Sequence, residues 1–297
     1  MKDEDWKVIL DRIRDGKCTP FLGAGVNYGV LPLGAQIARA FAQEEGFPLR
    51  TSEDLASVSQ FIAVKYHDHI KPKEKMRDLL EKPGMPIDFN QPDERLDCLR
   101  ALADLPFPVY LTTNYDNLII QALQHTVPPK SPKWDICRWH DGLKNLQQPI
   151  PVFKSSYRPD SLNPVVFYLH GVQDIAESMV LTEDDYLDFL VHVSRNQKIL
   201  PARIQEALTT TSLLFVGYRL KDIDFRVLFR GLVQSMDGSQ RRLGLTVQFH
   251  PPEDAAGDPN AAEEFLANYF GELKVCVYWG TASMFAKELR QRWNTLH

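Results

Sequence analysis

The sequence predicts a doubly wound, parallel α/β sheet with an inserted helical lobe. Short runs rich in Val, Leu and Phe recur at 19–22, 109–112, 165–169, 212–216, 243–249 and 275–278, with helix-period segments between most of them. Continuous apolar strands alternating with helices fit a sheet covered on both faces. Several of these runs also end directly on a glycine or a polar turn, at Gly23, Thr113, His170 and Gly217, which is where open α/β sheets place their ligands.

Taken in order, Trp6, Ile9, Leu10 and Ile13 mark an opening helix that stops at Gly16. The strand at 19–22 runs into Gly23-Ala24-Gly25, and Leu33, Ile37, Ala38 and Phe41 after Pro32 predict a helix closing at Gly46. Residues 47–105 hold no strand pattern; Leu55, Val58 and Ile62, then Met76, Leu79 and Leu80, keep helical spacing, so this stretch is expected to be the inserted lobe. The strand at 109–112 precedes a helix carrying Leu118, Ile119 and Ala122. Seven of the 20 prolines fall within 126–164, beside scattered aromatics, and predict a long irregular loop. A further helix is expected to start near Asp222. With no internal repeat, residues 1–297 are taken as one domain.

At 44% hydrophobic and 25% charged residues the composition is that of an ordinary globular chain. The net charge of −5 offers no general attraction to phosphate backbones, so direct nucleic-acid binding is not expected. The acidic start Met1-Lys2-Asp3-Glu4-Asp5 lacks a signal-peptide stretch, and no run approaches the roughly 18 apolar residues of a membrane span. A cytoplasmic location is expected. Cys18, Cys98, Cys137 and Cys276 lie far apart without a C-x-x-C pair, so no metal site is expected.

Four segments carry chemistry, and each has a plain structural explanation beside it. Gly23-Ala24-Gly25 can let backbone approach a diphosphate, or simply form a tight turn; its spacing departs from G-x-G-x-x-G. Asn114 and Asp116 in Thr112-Thr113-Asn114-Tyr115-Asp116 can address hydroxyls or a carboxamide, or cap the helix that follows. His170, in Tyr168-Leu169-His170-Gly171, is a candidate acid or base, or a hydrogen-bonding strand-end residue. Gly217-Tyr218, after the strand at 212–216, can border a nucleotide or merely turn the chain. The acidic run Glu183-Asp184-Asp185 is expected to start a helix, favourably placed for its dipole, and the aromatics around Trp139 to be loop packing.

In this order the segments resemble the sirtuin superfamily, particularly the zinc-less, sirtuin-like domains of bacterial antiphage defence systems. Gly23-Ala24-Gly25-Val26-Asn27 is similar to the family's GAG-[IV]-[SN] turn, Thr112 to Asp116 to its T-x-N-x-D signature, and His170-Gly171 to its HG pair. Leu181-Thr182-Glu183-Asp184-Asp185-Tyr186 resembles its LT-x-x-D-Y segment, and 215–222 its F-[IV]-G-Y-x-L-x-D element. The resemblance implies a Rossmann-like fold, NAD as substrate, and hydrolysis to nicotinamide and ADP-ribose. It implies catalytic roles for Asn114, His170 and Asp116, and NAD contacts from Gly23, Ala24, Gly25, Val26, Asn27, Thr113, Gly217 and Tyr218. It further implies an NAD-depleting effector that forms a homo-oligomer, with a separately encoded HerA-type ATPase or another sensor protein as a possible partner. Protein-deacetylating sirtuins carry four zinc-binding cysteines after the HG pair. Here Cys276 alone follows His170, which weighs against a protein deacylase or ADP-ribosyltransferase. A non-enzymatic module sensing NAD or ADP-ribose is the remaining alternative.

Overall fold

The computed structural model describes the chain except residues 82–86, 147–148, 150–151, 155–156, 196–198, 219–242, 249–257, 273 and 297. Among the described residues seven strands form one all-parallel sheet: β1 (Cys18–Leu22), β2 (Val109–Thr112), β3 (Lys133–Ile136), β4 (Val165–Tyr168), β5 (Ser212–Val216), β6 (Gly244–Gln248) and β7 (Val275–Trp279). Their order across the sheet is β3-β4-β2-β1-β5-β6-β7. Winding therefore reverses between β1 and β5, and a switch of this kind opens a crevice at the carboxyl ends of the strands.

Side chains alternate across this sheet with the two-residue period of a strand. Leu22, Tyr110, Val166, Tyr168, Leu214 and Val216 point to one face. There they meet α1 (Asp3–Arg14), α5 (Asp97–Asp104), α6 (Leu118–Gln124) and α10 (Ala282–Leu296). Phe21, Val109, Leu111, Phe167, Leu213 and Phe215 point to the other, under α7 (Glu183–Arg195), α8 (Ala202–Thr210) and Phe270 of α9 (Pro259–Glu272). Both faces being covered explains why the strands read as apolar runs. Truncating Phe167 or Phe215, each buried, to Ala removes roughly 3–5 kcal/mol. Free Cys18, Cys98 and Cys137 are buried, and burial pushes the Cys18 and Cys98 thiols up to about 12, so they act as small hydrophobes.

The strandless stretch 47–105 divides between two places. From it, α3 (Leu55–Tyr66) and α4 (Lys71–Glu81) pack with α2 (Gly34–Glu45) around Ile37, Phe41, Val58, Ile62 and Met76, forming a lobe core that also takes in Met179 and Leu181. By contrast, α5 lies on the sheet, its Leu99 and Leu102 sharing the core with Leu289 of α10.

The segment expected as irregular, 126–164, contains the edge strand β3, paired on one side with β4. Its residues Lys133-Trp134-Asp135-Ile136 hide the strand by placing a carboxylate inside. Asp135 is buried and accepts from Ile136 N, Val152 N and Arg138 Nη1 at 2.7–2.9 Å, so the charge is paired rather than solvated. The strand expected at 243–249 spans Gly244–Gln248; Phe249 and the helix expected near Asp222 lie outside the described residues. Among the described residues no helix is long and apolar enough to cross a membrane.

Candidate active site

Strand register sets the site. Leu22 lies opposite both Thr112 and Val216, and Thr112 opposite Tyr168, so β1, β2, β4 and β5 end level. Gly23, Thr113, Leu169 and Gly217 therefore follow as one row along the carboxyl edge.

The turns after β1 and β5 touch backbone to backbone. Gly23 N donates to Val216 O and Gly25 N to Gly217 O, both at 2.9 Å. A Cβ on Gly25 would sit 2.8 Å from Gly217 Cα, and one on Gly217, whose φ is +86°, would sit 2.6 Å from Gly23 O and Val26 N. Glycine is required here by the mutual approach of two turns as well as by any ligand. Beyond it Ala24–Asn27 forms a 3-10 turn, and α2 starts later, at Gly34. Ala24, Gly25 and Asn27 line the cleft described below, whereas Gly23 and the buried Val26 stand behind them.

After β2, Thr113 N donates to Leu22 O at 3.1 Å and Asn114 N to Thr112 Oγ1 at 3.0 Å. The Tyr218 hydroxyl donates to Leu22 O at 2.9 Å and lies 2.8 Å from Thr113 Oγ1, so two of the expected site residues meet directly. Asn114 Nδ2 donates to Gly23 O at 3.2 Å, tying the β2 turn to the glycine turn. Asp116, one residue before the N-cap position Asn117, accepts from Leu118 N, the first residue of α6, at 3.0 Å, and its other oxygen accepts from Asn27 Nδ2 at 2.7 Å. Burial pushes its carboxyl up to about 6, against the opposing pull of those donors.

His170 follows β4 and is 2% exposed. Its ring meets Tyr186 and Phe189 edge-on, with centroids 5.4 and 5.1 Å away. Among the described residues Nε2 has no hydrogen-bond partner, and burial alone pushes the imidazole down to about 3, leaving it neutral at pH 7. A buried polar atom left unsatisfied costs about 1–3 kcal/mol, a common mark of a position kept for function. Gly171, with φ at +79°, serves a different purpose from making room for a ligand: a Cβ there would overlap the Ser178 carbonyl of the returning loop.

Asn27, Thr113, Asn114, Asp116, His170, Gly217 and Tyr218 converge on one cleft of about 500 Å³ between the sheet edge and the lobe. The lobe side contributes Leu55, Met76 and Leu80, and α7 contributes Tyr186. The sequence marks these lobe residues as helical and not as site residues, because apolar residues at helical spacing carry no sign of facing a cleft. Tyr115 also lines it, its hydroxyl donating to Val180 O at 2.6 Å. The carboxylates among the described lining residues are Glu53, Asp54 and Asp116, and no Lys or Arg is among them. A diphosphate would rely there on backbone amides and hydroxyls. Trp139 is buried behind Phe189, its indole donating to Ser178 O at 2.9 Å. Positions 219–222 of the element at 215–222 lie outside the described residues. Among the described residues no group of three or more His, Cys, Asp or Glu could hold a metal ion.

The SIR2-like domain family matches residues 108–273, which include Thr112 to Asp116, His170-Gly171 and Gly217. The chain belongs to the SIR2-like family. Relatives include the NAD(+) hydrolase ThsA of Acinetobacter baumannii, 22% identical over 82% of this chain and 45% of that protein. The NAD(+) hydrolase ThsA of Bacillus cereus is 24% identical over 80% of this chain and 44% of its own length. The SIR2-like chain thus spans about half the length of the curated relatives it matches. A solved structure described as "Structural Basis for the Mechanism and Regulation of Sir2 Enzymes" covers 99% of both chains, with a TM-score of 0.40 and 12% identity.

Proposed function

We propose that this SIR2-like chain is an NAD glycohydrolase, releasing nicotinamide and ADP-ribose. The observation that carries the reading is His170 Nε2, buried and unpartnered, in the same cleft as Asn114 and the Ala24–Asn27 turn. Relatives bearing the name NAD(+) hydrolase support it.

In this reaction the bond from ribose C1′ to the nicotinamide nitrogen breaks, the electron pair leaving with nicotinamide, and positive charge builds on the ribose. Water then forms the new C1′–O bond. Asn114 orders that water or the ribose hydroxyls, its amide held in place by Gly23 O. His170 takes up the proton that the water releases. An imidazole with so low a pKa is a weak base, but a water oxygen bonding to a cationic carbon becomes a strong acid, so a neutral, preorganised lone pair suffices. Asp116 orients the carboxamide or the ribose. Ala24, Gly25 and Asn27 receive the diphosphate, Gly23 and Val26 shape their turn, and Thr113, Gly217 and Tyr218 border the adenosine side.

By the same resemblance the chain serves as an NAD-depleting effector of antiphage defence in the cytoplasm, where NAD is available. It acts as a homo-oligomer, restrained by assembly or by a separately encoded HerA-type ATPase or other sensor. The test is incubation of purified protein with NAD and mass-spectrometric detection of both products, beside Asn114→Ala and an acetylated-peptide reaction. Release without peptide that Asn114→Ala abolishes is the expected result. Release that needs the peptide turns the assignment to a deacylase, and NAD binding without release by an assembled protein turns it to a sensing module.

A further inference from the structure

We infer that Lys73, in the helical lobe, is a positioning residue for His170, acting through a buried ion pair with Asp185 that pins α7 against the imidazole. The inference rests on the reading of His170 as the proton acceptor.

Lys73 lies in the first turn of α4, and its side chain is 5% exposed. Its Nζ donates to Asp185 Oδ1 at 2.9 Å, and Asp185 is 12% exposed. The other Asp185 oxygen accepts from Leu181 N and Thr182 N, both at 3.0 Å, while Asp185 N donates to Thr182 Oγ1 at 3.1 Å. This reciprocal arrangement caps α7, so Lys73 holds the start of that helix directly. A second tie lies beside it: Gln60 of α3 donates to Asp184 Oδ2 at 2.7 Å and accepts from Asp184 N at 3.1 Å. Two of the lobe helices, α3 and α4, thus grip the first turn of α7.

The residue after Asp185 is Tyr186, and Phe189 is one turn further; these two rings wall in His170. The Lys73 ammonium also lies 5.8 Å from the Trp139 ring, which packs edge-on against Phe189. From the other side, Val180 N donates to the His170 carbonyl at 3.0 Å and Val180 O accepts from Tyr115. Among the described residues no hydrogen bond fixes Nε2, so the imidazole's attitude depends on these rings and on the helix that carries them. A buried ion pair is a poor source of net stability, because desolvation offsets most of its attraction, but it tolerates few geometries. Its value here is the placing of α7. A displacement of about 1 Å at a reacting group can cost up to roughly 10²-fold in rate.

The experiment compares Lys73→Met, Lys73→Met/Asp185→Asn and, as a control, Lys75→Met. Lys75 lies on the same helix but pairs with Glu44 and Glu45 of α2. Each variant is measured for kcat and KM with NAD, for thermal stability, and for the His170 imidazole resonances by NMR with labelled histidine. Lys73→Met is expected to lower kcat roughly tenfold or more with KM within about threefold, since the Ala24–Asn27 and Gly217 turns are untouched. It is also expected to shift the His170 resonances as the ring currents of Tyr186 and Phe189 move. The double variant, free of an unpaired buried charge, recovers stability but not kcat. Lys75→Met changes neither kcat nor the His170 signals. Unmoved His170 resonances in Lys73→Met, or kcat recovering with stability in the double variant, overturn the inference. NAD binding without cleavage by the assembled, unmodified protein overturns the function instead, and the NMR comparison still decides the link.

Discussion

Asn27 and Asp116, 89 positions apart in sequence, share a buried 2.7 Å hydrogen bond in which the Asn27 amide donates to the carboxylate. The bond joins the turn after β1 to the turn after β2, and it leaves Asn27 Oδ1 buried in the cleft wall without a partner among the described residues. The donors to Asp116 are neutral, so burial still dominates and its carboxyl rises to about 6.

That pair makes Asp116→Asn a stability experiment. A carboxyl whose folded pKa exceeds its unfolded value near 3.8 binds more protons when folded, so its contribution is full below about pH 4 and lost as pH rises through 6. Asparagine removes the buried charge, and Asn27 can turn its amide to present Oδ1. Urea unfolding is expected to find the variant more stable than the parent at pH 8 by on the order of 2–3 kcal/mol relative to the difference at pH 4. A difference independent of pH would mean that Asp116 is solvated.

His170 works in the opposite direction over nearly the same range. Its pKa falls from 6.5 unfolded to about 3 folded, so stability is full above 6.5 and declines as pH drops towards 3. His170→Ala is expected to abolish NAD cleavage. It is also expected to flatten the acid limb, narrowing its deficit against the parent by a few kcal/mol between pH 7 and about pH 4. An unchanged acid limb, read by urea unfolding, would place the imidazole in contact with solvent or with an acid.

These two groups show what sequence could and could not supply. Strands β1, β2, β4 and β5 were legible because burial on both faces makes them apolar throughout. The candidate residues that follow them could be picked out because strand ends position polar groups, and Asn114, Asp116 and His170 line the same cleft. Strand β3 was not, because Asp135 breaks its pattern while Arg138 and two backbone amides satisfy the charge through tertiary contacts. Nor was the partner of the glycines: nothing at Gly25 announces that Gly217 lies against it, more than 190 residues on. The acidic start of α7 looked like a dipole device; its pairing with Lys73 and Gln60 depends on how the lobe folds back.

Gly217→Ala tests that hidden contact. The alanine would have to keep φ near +86°, and its new methyl would lie 2.6 Å from Gly23 O and Val26 N, both backbone atoms that cannot turn aside. Strain and clash together are expected to cost about 3 kcal/mol or more, lowering the midpoint of thermal unfolding. Gly16→Ala serves as a comparison, since its φ of +65° is strained but no atom lies within 4 Å of the added carbon. Equal losses in the two variants would remove the case for turn-on-turn packing.

Asn114 separates geometry from charge. Alanine removes the amide that orders water or the ribose hydroxyls and takes from Gly23 O one of its two donors, leaving Val26 N at 3.1 Å, at an expected cost of roughly 10²–10³-fold in kcat. Aspartate is nearly the same shape and still offers an acceptor, yet its second oxygen would face the Gly23 carbonyl where Nδ2 now donates. Two acceptors at 3.2 Å repel, so the carboxylate should swing off its position and the glycine turn should loosen by about 1–3 kcal/mol. Asn114→Asp is therefore expected to be as inactive as Asn114→Ala in nicotinamide release and less heat-stable. If the aspartate variant turned over at the parental rate, an acceptor oxygen alone would serve the chemistry, and the anchoring bond to Gly23 would have no part in it.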